Sequence, residues 1–168
     1  MMRELMSNWT IDEEHFQIAI ISFSSIARVE YDFGIINNGT DLEDKISKLQ
    51  FQGKSSQIHK GVAAGVKLLT DRTRQVHYVN VKKYLIVISD GLPSSPRDVS
   101  QFTSKDTIMH AIALGEDVSH YYLHKLTGTM DHVFPPKTEP LWYQMMSELI
   151  HPVCDRKCNL TKNRLIFN

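Results

Sequence analysis

Apolar residues along the chain fall into short unbroken runs and longer helical stripes, and the two kinds alternate. The shortest and densest run is Tyr84-Leu85-Ile86-Val87-Ile88, closed by Ser89-Asp90-Gly91. A brief β-branched run of this kind, bounded by a turn signal, predicts a strand buried on both faces, as in the middle of a parallel sheet. Phe16–Phe23 (FQIAIISF) and the run from Thr107 to Gly115 (TIMHAIALG) predict two more. Ser24-Ser25 makes a tight turn. From Ala27 onward the polarity alternates cleanly, with Ala27, Val29, Tyr31 and Phe33 on one side, which predicts an antiparallel partner at a sheet edge. His132-Val133-Phe134, stopped by Pro135-Pro136, reads as a short edge strand.

Between these runs the spacing changes to that of helices. Met2, Leu5, Met6 and Trp9 suggest the tail of a helix over residues 1–8. Asp41 is an expected N-cap for a short helix carrying Leu42, Ile46 and Leu49. Ile58, Val62, Ala63, Val66 and Leu69 form a stripe on a helix expected to end near Asp71-Arg72, with Gly61 and Gly65 allowing close approach to a sheet. Ser119 is placed to cap a helix bearing Tyr122, Leu123 and Leu126, ended by Gly128. Leu141 to Ile150 has the pattern of a last amphipathic helix, and the sequence beyond Pro152 is polar and basic. Strands alternating with helices, plus one hairpin, predict an α/β fold: a doubly wound, mostly parallel sheet with one antiparallel edge hairpin. The expected organisation is one domain over residues 1–152 and a polar C-terminal tail over 153–168.

Composition narrows the function classes. A chain of 168 residues with 42% hydrophobic and 23% charged residues suits a single globular domain. Lys plus Arg (19) balances Asp plus Glu (19), which argues against nucleic acid or an anionic membrane as the main partner. No stretch approaches the apolar length that crosses a bilayer, and Met1 to Met6 opens into helix-like sequence without the pattern of a signal peptide. Asn8, Asn38 and Asn159 begin N-x-Ser/Thr triplets and are glycosylation candidates. Cys154 and Cys158 are open to three readings: free thiols, metal ligands, or a disulfide. Their polar surroundings and the triplets favour the disulfide and an oxidising, extracellular setting.

Candidate chemistry centres on Asp90. It lies just past the carboxyl end of a predicted central strand, where open α/β sheets bind ligands. Asp90 either caps a turn or offers a carboxylate to a cation. Gly53-Lys54-Ser55-Ser56 has the end of a phosphate-binding loop but not its upstream glycine. His120 and His124 share a helix face without the intervening Glu of a zinc motif, as a solvated face would. No Ser–His–Asp or Cys–His spacing is visible.

The order of these elements resembles a von Willebrand factor type A domain. Phe16 to Phe33 resembles that family's strand–turn–strand hairpin, and Leu49 to Val62 its loop before the third helix. Tyr84 to Gly91 resembles its fourth strand and Asp-Gly turn, and Ile108 to Gly115 its fifth strand. The likeness extends over about residues 1–152. It implies a Rossmann-like fold and a non-catalytic, adhesion-type module that is secreted or extracellular and binds a protein ligand of the matrix or cell surface. The alternative is an intracellular α/β domain using Asp90 as a magnesium carboxylate in an enzyme or ATPase-associated complex.

The resemblance also implies a metal-ion-dependent adhesion site. Ser56 falls where that site usually has Thr, and Asp90 falls at its third-loop Asp; magnesium suits such oxygens. The family's Asp-x-Ser-x-Ser loop has no counterpart. Asp98-Val99-Ser100 and Asp117-Val118-Ser119 come closest, but each lacks the second Ser and neither follows the first strand. The site is therefore expected to be incomplete, and the domain to be N-terminally truncated by about 25 residues, including its central first strand. The loss of about five apolar side chains would cost ~8–15 kcal/mol. The flanking strands, Phe16–Phe23 and Tyr84–Ser89, would then either pair directly or await an upstream segment or another chain.

Overall fold

The strand of Tyr84 extends back through two lysines and runs over Lys82–Ser89, because only its inner residues need be apolar; Lys82 is exposed and Tyr84 to Val87 are buried. The computed structural model describes residues 11, 16–50, 55–75, 81–94, 97–102, 106–115, 117–134 and 163–167. Among these residues the strands and α-helices follow in order: β1 (Phe16–Phe23), β2 (Ala27–Tyr31), α1 (Gly39–Ser47), α2 (Ile58–Gln75), β3 (Lys82–Ser89), β4 (Thr107–Ala113), α3 (His120–Thr127), β5 (Val133–Phe134) and β6 (Asn163–Phe167).

These strands make a six-stranded sheet in the order β2-β1-β6-β3-β4-β5. β1 and β2 pair antiparallel, with a register shift between Ile20 and Ile21, and form the expected edge hairpin. The other four pairings are parallel. Residues on successive strand positions divide between two faces. Ile18, Ile20, Tyr84, Ile86, Ile112 and Phe134 join Ile36 and Leu42 in one core cluster. Ala19, Leu85, Val87, Ala111 and Val133 join Ile58, Val62 and Leu69 of α2 and Tyr122, Leu123 and Leu126 of α3 in the other. The sheet is thus covered on both faces, as the continuous apolar runs required.

Close packing of α2 on the sheet depends on Gly65. A Cβ there would stand 2.7 Å from Leu85 Cδ1, inside any normal contact distance. The caps are local. Asn38, not Asp41, caps α1: its side-chain oxygen accepts from Asp41 N at 2.8 Å, and Asp41 sits in the first turn. Ser119 caps α3 as expected, and Gly128 closes it in the left-handed conformation. α2 runs past its expected end, to Gln75. His132 belongs to a 3-10 turn over Met130–His132, so the edge strand begins at Val133. The expected helices over 1–8 and 141–150 lie outside the described residues.

The central slot is where expectation and structure part. β1 and β3 do not pair with each other, and neither an upstream segment nor another chain lies between them. β6 does, parallel to both. Leu165 stands in register with Ile18 and Tyr84, Ile166 with Ala19 and Leu85, and Phe167 with Ile20 and Ile86. The polar-tail reading of residues 153–168 therefore fails over 163–167. Basic and polar neighbours hid a run of three apolar residues, which is enough for a short strand with a partner on each side.

Candidate functional site

Five parallel strands end at one edge of the sheet, and the loops after β1, β3 and β4 form its carboxyl rim. The turn after β1 holds Ser24, Ser25 and Ile26; the loop after β3 holds Asp90 to Ser94; Leu114 follows β4. The segment entering α2 reaches the same rim. Gln57 N donates to Ser24 O at 3.2 Å, and Lys60 Nζ donates to Ser25 O at 2.5 Å. Ser56 and Ser94 are tied twice: Ser94 N donates to Ser56 O, and Ser56 N to Ser94 Oγ, each at 2.8 Å. The candidate residues Ser56 and Asp90 thus sit on loops joined directly to each other, although 34 positions separate them in sequence.

The loop after β3 is held from within by Asp90. Its Oδ1 accepts from Leu92 N at 2.9 Å and from Ser89 Oγ at 3.3 Å, closing a turn of the kind Asp favours. Its carbonyl accepts from Ser119 N at 3.2 Å, which anchors the loop to the start of α3. Gly91 has φ +71, and a Cβ there would meet Leu123 Cγ at 2.9 Å and Ser119 O at 3.0 Å. Both the backbone conformation and the space require glycine. The turn-capping role of Asp90 is therefore visible in its hydrogen bonds.

The two Asp-x-Ser segments that come closest to the family's loop motif serve local turns. Asp98 Oδ1 accepts from Ser100 Oγ at 2.7 Å and from Ser100 N at 2.9 Å, ahead of a 3-10 turn over Ser100–Phe102. These bonds, the hydroxyl's first, hold its carboxyl below the usual carboxylate range. Ser119 spends its hydroxyl on α3. Ser55 Oγ is buried without a hydrogen-bond partner. Among the described residues no group of three or more His, Cys, Asp or Glu is arranged to hold a metal. Asp90 and Ser56 offer oxygen donors of the kind a hard cation takes.

Elsewhere His110 is 3% exposed; the rings of His132 and Phe134 lie tilted against it, with centroids 4.5 and 5.7 Å away, and that of Tyr84 is stacked at 6.3 Å. Burial, then the nearby His132, lowers its pKa to about 4. His120 and His124 are exposed, as a solvated helix face should be. Asn38 is exposed at the start of α1. Asn8, Asn159, Cys154 and Cys158 lie outside the described residues. Sequence reasoning overlooked Ser24, Ser25 and Ser94 as rim residues; hydroxyls placed directly after a strand or a Gly-Leu-Pro turn were the available signal.

A mostly parallel, doubly wound sheet with hydroxyl and carboxylate side chains on its carboxyl rim defines an α/β binding-domain architecture. The chain belongs to the von Willebrand factor type A domain family, whose sequence model matches residues 1–144. It is 29% identical over 134 residues to Cuticlin-6 of Caenorhabditis elegans, covering 77% of this chain and 22% of that protein. It is 25% identical over 162 residues to the Collagen alpha-4(VI) chain of Mus musculus, covering 95% of this chain and 7% of that one. The chain therefore spans less than a quarter of either relative. Proximal thread matrix protein 1 from the mussel byssus, in a structure with a zinc-occupied adhesion-site motif, has the same fold. The TM-score is 0.65 at 16% identity, over 89% of this chain and 38% of that one.

Proposed function

We propose that this chain is a non-catalytic, adhesion-type module of the extracellular matrix that binds a protein ligand through its carboxyl rim. The observation that carries this reading is the exposure of large apolar residues on three neighbouring rim loops. Ile26 is 53% exposed, Leu92 48% and Leu114 44%. Each follows a strand of the sheet, and the backbone between them is fixed by the hydrogen bonds around Ser56 and Asp90. Exposed apolar side chains on a rigid, polar-rimmed surface suit a protein partner. The cuticlin, collagen and byssal matrix relatives support a matrix setting. In that setting Asn8, Asn38 and Asn159 are glycan acceptors and Cys154 and Cys158 are candidates for disulfide formation. No part of the ligand contact is assigned to a metal: Ser56 and Asp90 would hold magnesium only weakly.

The test is binding of the purified chain to immobilised matrix extract, compared with the triple variant Ile26→Ser, Leu92→Ser, Leu114→Ser. At least a tenfold loss with an unchanged thermal transition is expected. Equal binding by the two refutes the rim as the ligand surface. Heat stabilisation by magnesium and ATP would instead favour the enzyme-associated alternative.

A further inference from the structure

β6 differs from every other strand in how it reaches the sheet. β1 and β2 are joined by a tight turn, and β3, β4 and β5 follow one another along the chain. β6 lies between the two groups, and residues 135–162 separate it in sequence from β5. Among the described residues it alone links β2-β1 to β3-β4-β5 in the hydrogen-bonded sheet. Its register matches the polarity of both neighbours. Arg164 stands between Gln17 and Lys83, whereas Leu165, Ile166 and Phe167 stand in rows whose flanking residues are Ile18, Ala19, Ile20, Tyr84, Leu85 and Ile86, all buried.

From this placement we infer that β6 is an exchangeable strand, and that the slot between β1 and β3 is an interface for β6 of a second copy of this chain. A slot formed by two strand edges offers the same backbone donors and acceptors whichever copy supplies the strand. The intervening 28 residues reach about 70 Å even with 141–150 helical, far more than one sheet's width. Exchange of an identical element is a low-cost route to dimers. Within one chain the tether gives β6 an effective concentration on the order of millimolar, so the closed monomer prevails in dilute solution and exchange prevails when chains fold crowded together.

The experiment is refolding of the full chain at micromolar and at about millimolar concentration, read by light scattering and native mass spectrometry of mixed light and heavy isotope-labelled chains. Mixed dimers are expected at the high concentration alone. A synthetic peptide of residues 161–168 in excess should convert them to monomers carrying one peptide, and the same peptide with Ile166→Pro should not. The chain carrying Ile166→Pro should give no mixed dimers. Absence of dimers from the unaltered chain overturns the inference. So do dimers that the peptide leaves untouched, which would place the contact elsewhere and needs no variant to fold.

Discussion

Replacement of Gly65 by alanine in the middle of α2 should destabilise the domain, although the same change on a solvent-facing helix stabilises. Two effects oppose each other. Alanine in a helix interior is better than glycine by about 1 kcal/mol. Against this, the new methyl would stand 2.7 Å from Leu85 Cδ1 and 3.4 Å from Cδ2. Carbon atoms rest at about 3.5–4.0 Å, so the first contact is roughly 1 Å too short. Leu85 is fully buried in β3, in register with Ile166 and Met109, so its end must shift within the packed core to admit the methyl. Overpacking of this kind costs ~1–3 kcal/mol. The net expectation for Gly65→Ala is a loss of up to ~2 kcal/mol.

A double-mutant cycle isolates the contact. Leu85→Ala alone should cost ~2–5 kcal/mol through lost burial and the cavity left behind. In that background Gly65→Ala meets no leucine, its methyl enters the vacated space, and it should stabilise by about 1 kcal/mol. The two changes should therefore couple by ~1–3 kcal/mol, read from urea unfolding of four chains with equal m-values. Additivity within ~0.5 kcal/mol would refute the close approach of α2 to β3.

Gly91→Ala should cost ~2–3 kcal/mol, since positive φ and the contacts with Leu123 and Ser119 O act together; chemical denaturation measures it, and a change below ~0.5 kcal/mol contradicts the loop geometry. Asn38→Ala should remove the α1 cap at a cost of ~1 kcal/mol, whereas Asn38→Asp should not. Titration calorimetry with magnesium or manganese should show affinity weaker than micromolar; a micromolar site abolished by Asp90→Ala would overturn the incomplete-site reading. Stability should fall as pH drops from 6.5 to about 4, because unfolded His110 takes a proton that the buried ring refuses, for a loss approaching ~3 kcal/mol. His59, lowered by burial and then by Arg97 and Lys60, acts in the same direction. His110→Phe should flatten the unfolding curve across that window, and an unchanged slope counts against burial of the neutral ring.

The strands that sequence revealed most plainly were those with the longest apolar runs. In Phe16–Phe23 and Thr107–Ala113 the inner positions, Ile18 to Ile21 and Met109 to Ala113, are buried and divide between the two faces of the sheet, so a mainly apolar run reports them. The Ser119 and Gly128 caps were readable because each acts on its own helix within a few residues. Asn38 was overlooked for Asp41 since both are good caps three positions apart, and only the turn preceding α1 decides between them. The rim was half legible. Asp90 announces itself by following a buried strand, but its union with Ser56 runs through Ser94, a contact made by folding that leaves no periodic trace. His110 looked like an ordinary strand residue because the rings around it come from β3, β5 and the 3-10 turn before β5.

β6 was hidden for a different reason, and it explains why so modest a segment can occupy the middle of the sheet. Side-chain burial alone would call for a long apolar run there, and the expected loss was set by about five apolar residues. The larger demand comes from backbone. With the slot empty, β1 and β3 would face each other across ~10 Å, twice the strand spacing, with inward N–H and C=O groups unpaired along both edges. Each such buried group costs ~1–3 kcal/mol. Any strand of suitable length that keeps its N–H groups, and so lacks proline, satisfies those groups, and what remains for sequence is register. Three apolar positions beside buried rows and Arg164 beside Gln17 and Lys83 suffice to set it. A slot that selects mainly through main-chain pairing is also one that cannot distinguish its own β6 from that of another copy.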